Sequence, residues 1–97
     1  MTTFHVTPRA AKDLAAIARY GLQNWGDMLM ERYLRRLNDR FHWLALHPNA
    51  GRKRDDVATD YRSFVEGQHL VFYIIQPNGI AIIGVPHQAM DVDGHFA

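Results

Sequence analysis

The chain has no cysteine among its 97 residues, which excludes a disulfide framework and any thiol chemistry. No apolar run approaches the roughly 18 residues needed to cross a bilayer, so no membrane partner is expected. The segment Met1-Thr2-Thr3-Phe4-His5-Val6 lacks a charged stretch ahead of an apolar one, so no signal peptide is expected and the cytoplasm is the natural setting. Net charge is only +1, which gives no large basic field to make nucleic acid the main partner. There is no glycine-rich phosphate loop, internal repeat, low-complexity tract or linker. One domain over residues 1–97 is the expected organisation. The six histidines, at 5, 42, 47, 69, 87 and 95, are scattered, and no Ser-His-Asp or Cys-His spacing occurs. No catalytic residue, metal or cofactor is therefore expected.

What the chain does have is concentrated in its last third. Tyr61-Arg-Ser-Phe-Val-Glu66, His69-Leu-Val-Phe-Tyr-Ile-Ile-Gln76 and Ile80-Ala-Ile-Ile-Gly-Val85 are rich in β-branched and aromatic residues. Gly67-Gln68 and Pro77-Asn78-Gly79 separate them as turns. This spacing predicts an antiparallel three-strand meander. Leu70, Phe72 and Ile74 share one face of the middle run, and Val71, Tyr73 and Ile75 share the other. Apolar residues on both faces mark a central strand, with Phe72 expected between sheet and helices.

Upstream, Phe4-His5-Val6 reads as a short strand. Thr7 is placed to cap a helix, with Pro8 at its first position. Leu14, Ile17 and Gly21 form a narrow buried stripe whose small members suggest a close neighbour. Asn24-Trp25-Gly26 ends that helix, with Gly26 suited to a left-handed cap. Asp27 is expected to cap a second helix running to about Leu46, with Met30, Tyr33, Leu37, Phe41 and Leu44 buried. Its opposite face carries Glu31, Arg32, Arg35, Arg36, Asp39 and Arg40. That face is either solvated, with pairing such as Glu31 to Arg35, or a docking surface for an acidic partner. His47-Pro48 stops the helix.

Two polar stretches remain. Residues 47–59 form one long connection holding Arg52-Lys53-Arg54, a triplet that is either solvated or a phosphate contact. Arg62 has a planar fork suited to phosphate or carboxylate; alternatively it pairs with Asp60, Glu66 or Asp93. Pro86 cannot donate to a ladder and is expected to end the last strand. The polar tail from His87 is then expected to be mobile at its end and to serve function rather than fold. His87 and Asp91, at i and i+4, can share a helical turn. The expected fold is α+β in two layers: β-α-α-β-β-β, with a helix hairpin packed on a small antiparallel sheet.

In combination, these residues resemble the ParE toxins of the RelE/ParE toxin–antitoxin superfamily. The resemblance runs through Leu14, Ile17, Tyr20 and Trp25-Gly26, then Leu44, His47-Pro48 and Gly51-Arg52. It continues through Tyr61-Arg62, His69-Leu-Val-Phe-Tyr73, His87 and Asp91. It covers nearly the whole chain and implies the same β-α-α-β-β-β fold. It also implies a non-enzymatic toxin that inhibits DNA gyrase and forms a hetero-oligomer with a cognate, ParD-like antitoxin. That antitoxin would carry a ribbon-helix-helix, so DNA would be reached only through it. RelE relatives instead cut mRNA on the ribosome with basic residues and a C-terminal Tyr. Here Arg62 matches one basic position, Phe64 occupies another, and no Tyr follows Tyr73, which favours the gyrase branch. ParE sequences often read Arg-Val-Leu-His before the tail, where this chain has Gly84-Val85-Pro86-His87. A degenerate, non-toxic antitoxin-binding module is thus a third reading. Expected target contacts are Arg52, Arg54, Arg62, His87, Gln88, Met90 and Asp91. Expected antitoxin contacts are Trp25, Arg32, Arg36 and Arg40.

Overall fold

In the computed structural model, residues 3–96 are described; Met1, Thr2 and Ala97, the ends of the expected 1–97 domain, lie outside the described residues. The elements are β1 (Thr3–Val6), α1 (Pro8–Asn24), α2 (Asp27–Leu46), β2 (Arg52–Lys53), β3 (Arg62–Glu66), β4 (His69–Gln76), β5 (Gly79–Gly84) and α3 (Val92–Phe96). The sheet order is β1-β5-β4-β3-β2. The meander β3-β4-β5 is antiparallel as expected. Two features go beyond the expectation. The pair Arg52–Lys53 joins the sheet as β2 rather than staying in a loop, and β1 pairs parallel to β5, so the five-stranded sheet is mixed. A two-residue strand lies below what sequence periodicity can show.

Helix α1 starts as its residues dictate. Thr7 Oγ1 accepts from the Ala10 N–H at 3.3 Å and donates to the Ile82 carbonyl at 2.9 Å, which ties the helix start to β5. Gly26 has a positive φ of 84° but an extended ψ of 169°, a conformation that favours glycine without being the left-handed helical cap expected. It is also the cap residue of α2; Asp27 is the first helical residue and makes no capping bond, contrary to the expected role. There its charge still meets the positive end of the helix. Gly21 is buried directly against the Met30 side chain, the close approach its size implied. Ile17, Met30, Leu37, Phe41 and Leu44 then pack on Val71, Tyr73, Ile80 and Ile82.

The helices therefore cover the Val71/Tyr73 face. Phe72 is fully buried, but on the other face, and this corrects its expected place between sheet and helices. Its ring lies 4.9 Å from Phe96 and 6.4 Å from Tyr61, with the Arg54 guanidinium 5.2 Å above it. Both faces of β4 are apolar, so alternation alone could not say which one the helices take.

The tail is the second correction. Strand β5 ends at Gly84, yet pairing resumes past Pro86. The Leu70 N–H donates to the Pro86 carbonyl at 2.9 Å, His87 bridges His69, and the Gln88 N–H donates to Gln68 O at 2.9 Å. Proline lacks a donor but keeps an acceptor, so it fits a ladder position that only has to accept. Segment 91–96 is not a loose end: α3 lays Phe96 on the outer face. His87 and Asp91 do not share a helical turn, since His87 sits in the sheet bridge and Asp91 precedes α3.

Phe72→Ala is expected to lower unfolding free energy by about 3–5 kcal/mol in urea melts. In a Phe96→Ala background the same change should cost about 1 kcal/mol less, because the two rings share one contact. Equal costs in both backgrounds would show that the rings are energetically independent.

Candidate functional site

Helix α1 turns one stripe, Arg9, Asp13, Ala16 and Tyr20, toward the tail. Between this stripe and the start of β4 lies a cleft of about 300 Å3. Its walls are Asp13, Ala16, Ile17 and Tyr20 from α1, Trp25 from the interhelical turn, and Val85, His87 and Met90 from the chain after β5. Gln68 and His69 close it from β4's side. Tyr20 and Trp25 meet edge to face at 5.8 Å, and Trp25 meets Tyr33 at 5.5 Å. The cleft is thus an aromatic-walled, mostly apolar recess with two imidazoles at one side, suited to an apolar anchor with a polar flank.

The imidazoles are held differently. His69 is buried, its Nδ1 lies 2.6 Å from the Tyr33 hydroxyl, and its ring is 5.3 Å from that of His87. Burial, reinforced by neighbouring His87, pushes its pKa down to about 4 from the ordinary 6.5. Burial also raises the Tyr33 hydroxyl above its usual range. His87 Nδ1 accepts from the Ala89 N–H at 3.0 Å, shaping the turn that carries Met90. Among the described residues no three His, Cys, Asp or Glu side chains converge as metal ligands.

The structure draws together one part of the expected residues and separates the rest. Trp25, expected to meet an antitoxin, lines the same cleft as His87 and Met90, expected to meet a target. Gln88 lies beside that group, its amide donating to the Gly67 carbonyl at 2.9 Å. Arg52, Arg54 and Arg62 belong to the β2–β3 edge instead. Arg62 makes none of its expected carboxylate pairs. Its Nη1 donates to the carbonyls of Gly51 at 2.8 Å and Asn49 at 3.4 Å. It fixes the loop that Tyr73 also holds, through a hydroxyl bonded to Pro48 O and Gly51 N, both at 2.8 Å. Arg54 spends its guanidinium on Asp56, Ser63 and the Phe72 ring, while Arg52 is exposed.

The α2 stripe is neither wholly solvated nor wholly free. Arg36 and Arg40 both pair with Glu66, at 2.8 and 2.7 Å, and that carboxylate is only 9% exposed. Arg40 also lies 4.8 Å from both the Trp43 and the Phe64 ring centroids. Glu31 pairs with Arg35 as expected, and Arg32 is exposed. Sequence reasoning offers Glu66 only as a partner for Arg62 and misses its pairing with the α2 arginines, because a strand carboxylate facing inward looks like any polar strand residue. It missed the cleft because Asp13, Ala16 and Tyr20 are a helical stripe without apolar continuity.

Two measurements test this geometry. Between pH 6.5 and 4 the unfolded chain binds a proton at His69 that the folded chain refuses. Stability that is full above pH 6.5 should therefore fall as pH drops through this window, by up to about 3 kcal/mol, and level off below 4. His69→Asn should remove that part of the slope in urea midpoints taken against pH; an unchanged slope would place the titration elsewhere. Separately, Arg40→Ala should destabilise by about 1–2 kcal/mol and Arg32→Ala by less than about 0.5. Equal effects would show that Glu66 does not hold the stripe.

Comparison with known proteins agrees with this architecture. A sequence model of the family described as "ParE toxin of type II toxin-antitoxin system, parDE" matches residues 4–92. The chain is 35% identical over 89 residues to "Toxin ParE1" of Mycobacterium tuberculosis strain CDC 1551 / Oshkosh, which covers 91% of each sequence. The same figures hold for the protein of that name in strain H37Rv. The solved structure described as "Chromosomal ParDE TA system from P. aeruginosa" superposes with a TM-score of 0.75 at 18% identity, covering 90% of this chain and 96% of that one. At that identity the likeness is one of fold. No helix among the described residues is long and apolar enough to cross a membrane. Matched along nearly all of its length by the family and by a relative at 35% identity, the chain belongs to the ParE toxin family of type II toxin–antitoxin systems.

Proposed function

We propose that this chain is a toxin that inhibits DNA gyrase in the cytoplasm, without a reaction of its own, and that a cognate antitoxin neutralises it. The observation that carries this reading over an mRNA nuclease is the place of Arg62. Its guanidinium is committed to the Asn49 and Gly51 carbonyls, so it shapes a loop rather than facing a phosphate. At the next inward position Phe64 packs under Arg40 and against Trp43 at 5.4 Å. Neither residue is poised for proton transfer to or from RNA.

The antitoxin reading rests on the cleft. An apolar side chain of the partner fits between Tyr20, Trp25 and Met90, and a ribbon-helix-helix part elsewhere in that partner would carry any contact with DNA. Such a partner covers His87 and Met90, so neutralisation follows from occlusion of the tail turn, with Gln88 and Asp91 beside it. Exposed Arg32 adds charge that speeds association more than it deepens affinity.

Induced alone in a bacterial host, the protein should filament cells, trigger the DNA-damage response and inhibit supercoiling by purified gyrase. Primer extension on translated messages should show no new ends. Codon-linked cuts would instead make it a ribosome-dependent nuclease. Good expression without any growth effect would favour a non-toxic antitoxin-binding module.

A further inference from the structure

The tail has two anchorages with a turn between them. The first is the pairing of Pro86 and Gln88 with the start of β4. The second is α3, whose Phe96 ring sits over Gly84. A Cβ on Gly84 would lie 2.6 Å from two atoms of that ring, so the ring occupies a notch that only glycine leaves open. Phe72 and Tyr61 floor the notch, and the Arg9 guanidinium covers the ring at 5.5 Å. Beside it, His95 Nε2 lies 2.9 Å from Asp13 Oδ2, with both side chains largely buried. The same Asp13 oxygen accepts the Val85 N–H at 2.8 Å. Asp13 and Val85 are also cleft walls, and Met90 hangs on the turn between the two anchorages. One carboxylate oxygen thus joins the cleft, the end of β5 and the tail helix.

We propose that α3 is a strap whose seating on Gly84 sets the shape of the cleft, so that strap docking and cleft occupancy are linked. With the strap seated, Asp13 is held from two sides and Met90 is fixed as a wall. With it unseated, Asp13 loses His95, and Met90 loses the anchorage on its C-terminal side. A partner that fills the cleft binds the seated form, and by reciprocity its binding holds the strap down. This rests on the reading that an antitoxin segment occupies the cleft.

The probe is a purified ParD-type antitoxin shown to neutralise this chain, with binding followed by calorimetry. Gly84→Leu fills the notch and Phe96→Ala empties it; neither residue lines the cleft. Both variants should speed exchange of the His95 amide, which donates to Asp91 O when α3 is formed. Both should weaken antitoxin binding at least tenfold, and antitoxin should slow that exchange in the parent protein. Ala16→Arg, which blocks the cleft wall, should abolish binding while the strap stays seated. If Ala16→Arg binds normally, the antitoxin sits elsewhere and the cleft reading fails. If Ala16→Arg blocks binding but Phe96→Ala binds as tightly as the parent with its strap unseated, the linkage is overturned. Should Gly84→Leu fail to fold, Phe96→Ala alone decides, since it trims a partly buried ring near the chain end and adds no bulk.

Discussion

The structure depends on one constraint: β4 carries large apolar side chains on both faces, and both must be covered. Ninety-seven residues supply a single helix hairpin, which covers the Val71/Tyr73 face. The Phe72 face must be closed by what is left, which is Tyr61, the Arg54 guanidinium and the ring of Phe96. A two-layer domain of this size cannot spare a third layer, so the chain builds a partial one from its tail. Gly84 follows from the same constraint. A side chain there would occupy the space in which Phe96 replaces solvent.

Charge is used in the same economical way. Glu66 points inward from the end of β3 and would be costly there alone. Arg36 and Arg40 reach it from α2, and Arg40 is also stacked between two aromatic rings. Two of four stripe arginines thus fasten helix to sheet, while Arg35 pairs with Glu31 and Arg32 is exposed. Tyr73 and Arg62 do the corresponding work at the other end of the sheet, where they bind backbone carbonyls of the loop after α2.

The fold was legible where local signals agree. Thr7-Pro8, the Met30-to-Leu44 stripe, Gly26 and the turns around Gly67 and Gly79 each carry their own physical cause. What was not legible depends on which partner a residue meets across the chain. Phe72 and Val71 have equal claims to the core by alternation, and only the third dimension decides between them. Pro86 reads as a stop because its missing donor is visible in sequence, while the need for an acceptor opposite Leu70 is not. The cleft was half visible. Trp25 and His87 each stand out in the sequence, for different roles, and nothing in their spacing shows that they line one cleft.

The parallel pairing of β1 with β5 has a consequence for how the chain is made. Thr3 to Val6 align with Gly79 to Ile82, and Thr7 reaches Ile82 O across 75 residues. Until the second half of that pair has left the ribosome, β1 has no strand to join, and α1 lacks the contact at its start. At roughly 5–20 residues per second, that wait lasts about 4–15 s. The pairing is also the kind of non-local contact that slows folding, because a long loop must close before any bond rewards it. The nascent chain therefore cannot complete its sheet until residues 79–82 have been made. With this strand order the surface built on β1 and β5 is finished late, after the helices and the first strands of the meander have already been made.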